Sequence, residues 1–476
     1  MASPDPARPS PTARLSRRRF LAIVGLGGAS AALSVIAPAP ALAASRVPTP
    51  VPIPVPAAVI PVGRRGAPGA AAATDEASLA NYLAAQRALR DGVAPRDIPA
   101  LSAFLEGDLS ALEPVPAYRL LVGTVFLPRL LREHVSVRLR DTIEDARARR
   151  TDRAAILAWN GAELAEAAVL AFKRTGDTRF LDRFVNYFED VLRLRDSTLG
   201  IRDDRLGVSV PAWGDGGLVR GRWIAHVTTT ARICYAATEF ARLTLRDERL
   251  VAYHAAARRY VAATKRALAV FDRDFRPVPG TDASYYRRPA KHRWEPINHA
   301  HQVGRLLLNL HTLTGEARYG RRASQIAGVF AASVRYDRRG NPFWRYFPYF
   351  EPELQEERAE PIWKASCTVP FVHQAARRGR IDPAIADAAA RSFAHDLVRD
   401  GELNRTVDPA RFDPLRSGDP FASRAGTVAG WLELRSREPE IFDRMVELLV
   451  AHRNDYFSRA WFGAPSLARG YAFCLG

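Results

Sequence analysis

A turn that ends one helix and opens the next recurs at intervals of about seventy residues. Thr175-Gly176-Asp177-Thr178-Arg179-Phe180 and Thr314-Gly315-Glu316-Ala317-Arg318-Tyr319 share it, and Leu245-Arg246-Asp247-Glu248-Arg249-Leu250 holds the same place between them without the glycine. Arg179, Arg249 and Arg318 stand 70 and 69 residues apart. Looser copies follow at Gly379-Arg380-Ile381-Asp382-Pro383 and Glu438-Pro439-Glu440-Ile441. Glycine ends a helix by taking the left-handed cap, and an acidic residue favours the start of the next. The segments between, among them Leu79 to Leu89, Ala154 to Phe172, Ile224 to Leu243, Val303 to Leu313 and Ile441 to Val450, space apolar residues by three and four, the helical period. Helical hairpins with apolar stripes need neighbours to bury them. A period this long leaves room for a hairpin plus a long functional loop. The pattern therefore predicts an all-α chain forming an α/α toroid, one large domain over residues 75–476, with an open helical array for protein binding as the alternative.

What precedes that body reads as an export signal. Ser16-Arg17-Arg18-Arg19-Phe20-Leu21, an apolar run to Ile36 and then Ala41-Leu42-Ala43 have the order of a cleavable leader, and the paired arginines point to the twin-arginine route. Residues 1–43 are expected to be removed. Gly25, Gly27 and Gly28 interrupt the run, so stable membrane insertion of the mature chain is not expected. Residues 44–74, with prolines at every second position from Pro48 to Pro56, read as an extended linker. Losing the leader removes five arginines and one aspartate, leaving 64 basic and 50 acidic side chains, a net charge of +14. Such a surface favours anionic partners. Export sets nucleic acid aside and leaves an acidic polysaccharide as the natural match. Cys234, Cys367 and Cys474 are too few and too scattered for a disulfide framework.

Two clusters could carry chemistry. Asp282 to Arg288 and Lys291 to Gln302 lead into a helix whose apolar stripe is Val303, Leu306, Leu307, Leu310 and Leu313. His299 falls on the buried side of that helix with Asn298 beside it, where helix amides already favour a carboxylate. Asn298 could also serve simply as the helix cap. His299 and His301 point about 200° apart and cannot share one ion, so no metal is expected. The second cluster, Phe343 to Glu353, is broken by Pro348 and Pro352 into an aromatic loop. There Arg345 could fork onto a uronate carboxylate while aromatic faces stack on sugar rings, unless the loop merely packs on the core. Trp159-Asn160, Trp213 to Gly217 and Arg222 to His226 read as further cleft lining, with His226 the best of them.

The order Asn298-His299, Arg345, Tyr349 on an exported helical toroid resembles the uronate-specific polysaccharide lyases typified by alginate and glucuronan lyases. The alginate-lyase pattern Asn-Asn-His-Ser-Tyr-Trp stands here as Ile297-Asn298-His299-Ala300-His301-Gln302. The resemblance implies cleavage of a uronate polysaccharide by β-elimination, with Asn298, His299 and Arg345 on the sugar carboxylate and Tyr349 as base and acid. Tyr346 competes with Tyr349 for that role. Trp159, Asn160, His226, Arg287, Arg288, Tyr346 and Glu351 are the expected substrate contacts. Whatever the family, a proton beside a carboxylate becomes acidic only when donors hold the developing charge, and a phenolate base needs a lowered pKa, for which Arg345 or Arg287 would serve. No cofactor is needed if side chains supply this. The alternatives are a toroidal glycoside hydrolase using paired carboxylates such as Asp215 with Glu351 or Glu353, and a protein that only binds acidic glycan.

Overall fold

The computed structural model describes residues 126–219, 221–288, 293–351, 359–415 and 422–451, together with Arg469 and Ala472. The leader, the linker, the start of the expected domain, Glu353 and Cys474 lie outside the described residues.

The described chain alternates inner and outer helices. The inner ones are α2 (Ala162–Thr175), α4 (Val227–Thr244), α6 (Ile297–Thr314), α8 (Ile362–Arg377) and a 3-10 helix, Ala422–Ser436. Each packs on the next in that order. Each also packs against the outer helix that follows it: α3 (Arg179–Arg193), α5 (Val251–Ala269), α7 (Ala317–Ser333), α9 (Pro383–Ser392) and α10 (Glu440–Ala451). α1 (Phe126–Ala148) covers α2 and α3 from outside. This is the all-α, α/α-toroid arrangement expected from the repeat.

The two kinds of helix differ in sequence as their positions require. On outer α3 the buried residues Phe180, Leu181, Phe184, Tyr187, Phe188, Val191 and Leu192 form one stripe and the remaining face is polar. Inner α4 is buried almost all round and is built largely of Ala and Thr, which let helices approach closely. The repeated turns join each inner helix to its outer partner. Gly176 and Gly315 take φ of 70° and 72°, the left-handed region open to glycine. The recurring arginine also has a use: Arg179 forks onto Asp177 and Arg249 onto Asp247, each through two hydrogen bonds of 2.7–2.9 Å, while Arg318 bonds Glu316 at 2.9 Å.

One close approach between inner helices lies beside a proline. Pro370 lies inside α8 and has no N–H for the carbonyl of Ser366 four residues earlier. The backbone of Gly430 seats against that carbonyl, and its N–H donates to Ser366 Oγ at 2.8 Å. A Cβ at Gly430 would overlap the Ser366 carbonyl oxygen. Gly430→Ala should therefore cost about 1–3 kcal/mol, read as a lowered unfolding midpoint in denaturant. Cys234 and Cys367 are both free thiols.

Candidate active site at the amino-terminal mouth of the ring

All the long connections run from an outer helix back to the amino end of the next inner helix. They carry antiparallel ribbons: β1 (Gly214–Val219) with β2 (Arg222–Ala225), β3 (Phe275–Pro277) with β4 (Ser284–Arg288) and β5 (Arg293–Trp294), β6 (Arg335–Tyr336) with β7 (Pro342–Phe343), and β8 (Val398–Arg399) with β9 (Glu402–Leu403). Ribbons and first helical turns thus meet at one mouth of the ring. Trp159 reaches it from a π turn (Leu157–Gly161) leading into α2, and His226 from the cap position of α4.

The centre of the mouth is Glu295, which is fully buried. Its N–H continues the β4–β5 ribbon by donating to the Tyr286 carbonyl at 2.9 Å, and Pro296 then opens α6. The i,i+4 spacing brings His299 back over the carboxylate. Glu295 Oε2 lies 3.1 Å from His299 Nδ1 and 3.6 Å from Arg288 Nε, and Oε1 lies 2.8 Å from His226 Nε2. That last contact brings the second imidazole against the free oxygen of the carboxylate. The imidazoles of His226 and His299 stand 5.8 Å apart at 73°, and Trp159 lies 6.1 Å from His299.

Burial would raise the Glu295 carboxyl, but His226 and His299 overcome it and hold the group well below the usual carboxylate range. Burial pushes His299 down to about 4 against the pull of Glu295. His299 is therefore neutral at pH 7. With Nδ1 directed at the carboxylate, Nε2 keeps the lone pair.

Tyr346 joins the cluster through its carbonyl, which accepts the Ile297 N–H at 3.0 Å. The Lys364 ammonium lies 3.7 Å over its ring. Burial and the Glu360 carboxyl raise the phenol far above its ordinary value, Arg288 opposing and Glu295 adding to the rise. The net effect is upward, the opposite of what a phenolate base needs, and the phenol stays protonated. Tyr349 is 40 % exposed and meets Phe350 edge-on at 5.0 Å. Arg345 is half-buried and bridges Ala359 through its backbone, with no ion-pair partner among the described residues. Asn298 is buried one residue inside α6, where Pro296 occupies the cap, and its Oδ1 has no hydrogen-bond partner. Asn160 Oδ1 is likewise buried and unpaired.

Other expected residues are employed elsewhere. His301 lies between Phe330 and Phe371 with Nδ1 3.0 Å from the Thr368 carbonyl, inside the core and apart from His299. Trp213 is buried and donates to the Val191 carbonyl. Asp215 accepts the N–H groups of Ala155 and Gly217, and Glu351 that of Trp294, so both hold backbone. Arg287 precedes Arg288 on β4 and by strand alternation faces away from Glu295.

Glu295 itself, Glu360 and Lys364 carried no sequence motif, although the i,i+4 step from Glu295 to His299 was visible. Glu360 is fully buried. Its Oε2 accepts from Trp344 Nε1 at 2.6 Å and Thr368 Oγ1 at 2.8 Å, while Oε1 has no partner. Burial pushes its pKa from 4.5 up to about 7. A group raised on folding loses stability as pH climbs through that interval. Glu360→Gln keeps the acceptor and removes the charge, so its stability gain over the wild type should grow from pH 4.5 to 7 and level off at on the order of 3 kcal/mol. Unfolding midpoints of both proteins at pH 5 and pH 8 check this.

Ligand atoms of His226, Glu295 and His299 lie within 4.8 Å of one another, close enough to surround a cation. Arg288 already supplies a positive charge to the same carboxylate, so the set is better matched to proton transfer than to an ion.

No family profile matches the sequence, and no curated relative does. Among solved structures, the chain is similar to a sugar epimerase from a ruminal bacterium (11 % identity, TM-score 0.40, covering 62 % of this chain and 75 % of that one). It is similar also to an α-1,6-mannanase from Salegentibacter sp. HEL1_6 (9 %, 0.37, 66 % and 88 %) and to a glycosyl hydrolase family 88 protein from Bacteroides vulgatus (11 %, 0.34, 64 % and 99 %). These likenesses concern the helical outline and assign no residue or reaction.

Proposed function

We propose that this protein is an exported enzyme that cleaves a uronate-containing polysaccharide by β-elimination at the amino-terminal mouth of the ring. The observation that carries the reading is the buried Glu295 carboxylate shared by two imidazoles, one of which, His299, is neutral at pH 7. A neutral imidazole oriented by a carboxylate is a general base. Nε2 of His299 takes the proton from C5 of the sugar, the C5–H electron pair forms the C4–C5 double bond, and the C4–O bond breaks. The Tyr346 phenol, held protonated by its surroundings, gives its proton to the leaving oxygen. Proton exchange with solvent then restores both groups. Asn298, Arg288, Arg345 and Lys364 are the donors for the uronate carboxylate as charge builds on it. Hydrolysis would instead need two carboxyl groups roughly 5–9 Å apart that touch the sugar. Glu295 and Glu360 are both fully enclosed.

The test is incubation of the mature protein with alginate, glucuronan and glycosaminoglycans while ultraviolet absorbance of the unsaturated product is followed. Absorbance should rise with one of them, with kcat/KM climbing through about pH 4 as free-enzyme His299 loses its proton. New reducing ends without absorbance would make the protein a hydrolase. Salt-sensitive binding without turnover would make it a glycan-binding protein.

A further inference from the structure

We propose that the opposite, carboxyl-terminal mouth of the ring is a second ligand site, one that takes a small hydroxylated anion such as a sugar acid or a sugar phosphate. His226 and Arg242 are sixteen residues apart along α4, which places the two mouths roughly 24 Å from each other. Between them the ring axis is closed by buried ion pairs, Arg232 with Glu163 at 2.7 Å and Arg305 with Glu166 at 2.8 Å. Beyond the Arg305 layer lies a cavity of about 230 Å³. Below the roughly 300 Å³ at which drug-sized pockets begin, it suits a single sugar or less.

Its lining is built for an anion. Six arginine and lysine side chains face three glutamates. Glu239 is already occupied by Arg242 Nη1 and Asn309 Nδ2, each at 2.7 Å. Donors are left over: Arg242 Nε, Arg305 Nε and Arg378 Nη1 are buried without hydrogen-bond partners. Among the described residues Arg378 has no ion-pair partner. Unpaired buried guanidinium N–H groups are costly and call for acceptor oxygens. One acceptor is left over as well. Gln374 gives its Nε2 hydrogen to Tyr235 Oη at 2.8 Å, while its Oε1 is buried and unpaired. That atom asks for a hydroxyl donor, which inorganic phosphate at neutral pH supplies less well than a sugar does. Lys173 and Arg377, both exposed, leave the rim open to solvent.

Titration calorimetry on the full chain with D-glucuronate, glucose 6-phosphate and inorganic phosphate tests the site. One of the two sugar anions should bind at least several-fold more tightly than phosphate. Arg378→Gln should weaken that binding about tenfold, the worth of one charge-assisted hydrogen bond. Gln374→Leu should narrow the preference for the sugar anion over phosphate. His299→Ala should leave the affinity unchanged, because His299 belongs to the other mouth. Absence of heat with all three anions, binding that survives Arg378→Gln and Gln374→Leu intact, or binding abolished by His299→Ala would each overturn the proposal. Glucuronate against glucose 6-phosphate decides whether the anionic group is a carboxylate or a phosphate.

Discussion

Replacing His299 with alanine should lower turnover of the uronate polymer by roughly three orders of magnitude while leaving the unfolding midpoint within a few degrees of the wild type. The effect is that large because elimination cannot begin until the C5 proton has an acceptor, and the Glu295 carboxylate, 3.1 Å from Nδ1, orients His299 for that task. Glu295→Gln separates orientation from proton acceptance. Glu295 is what raises His299 against the downward push of burial. With the carboxylate gone, His299 should fall further, and the acid limb of kcat/KM should move below pH 4. A variant that merely disturbed packing would lower activity without moving the limb. Assays of both variants across pH 3 to 8, with circular dichroism melts as controls, read the two effects apart.

The second large effect concerns stability. Arg305 is 1 % exposed, its guanidinium stacks 3.7 Å from the Tyr235 ring centre, and it bonds Glu166 at 2.8 Å. Arg469 lies 3.4 Å from the same glutamate and 2.8 Å from Glu433. Inner helices α2 and α6 are thus tied across the axis by charge rather than by oil. Arg305→Ala leaves Glu166 buried with half its counter-charge, and the expected loss is about 3–5 kcal/mol. In a chain of this size that amounts to a melting point lower by roughly 4–6 °C. Replacing Arg305 and Glu166 together by methionine should recover most of the loss, because the buried charge leaves with its partner. Equal destabilisation by the single and double variants would show that the pair only fills space.

Much of the architecture could be read from local signals. The turn at Thr175 to Phe180 and its copy at Thr314 to Tyr319 announced an inner helix, a cap and an outer helix, because a left-handed glycine and an acid–arginine contact are determined within six residues. The amino-terminal mouth was legible in part for the same reason. Asn298, His299, Trp159 and His226 all sit at helix starts, and the helical period placed His299 on the inner side and His301 away from it. What stayed hidden depends on distant connections meeting. Glu295 draws its meaning from His226, some seventy residues earlier, and from Arg288 across a short ribbon. Lys364 reaches Tyr346 only because α8 stands next to α6 in the ring. The preference for Tyr346 over Tyr349 likewise rests on burial, which residue types alone do not encode. Asp215 and Glu351 looked available as a carboxylate pair because their backbone partners, Ala155 and Trp294, lie sixty and fifty-seven residues away.

The measurement closest to the centre of this account is the mass of the oligosaccharides released from a uronate polymer by the purified protein in ¹⁸O-labelled water. Elimination at the His299–Glu295 mouth predicts products lighter by one water than their hydrolytic counterparts and free of label incorporated at cleavage. Products of hydrolytic mass that carry ¹⁸O at the new reducing end would contradict it, and would require carboxyl groups that reach the sugar where the ring presents imidazoles.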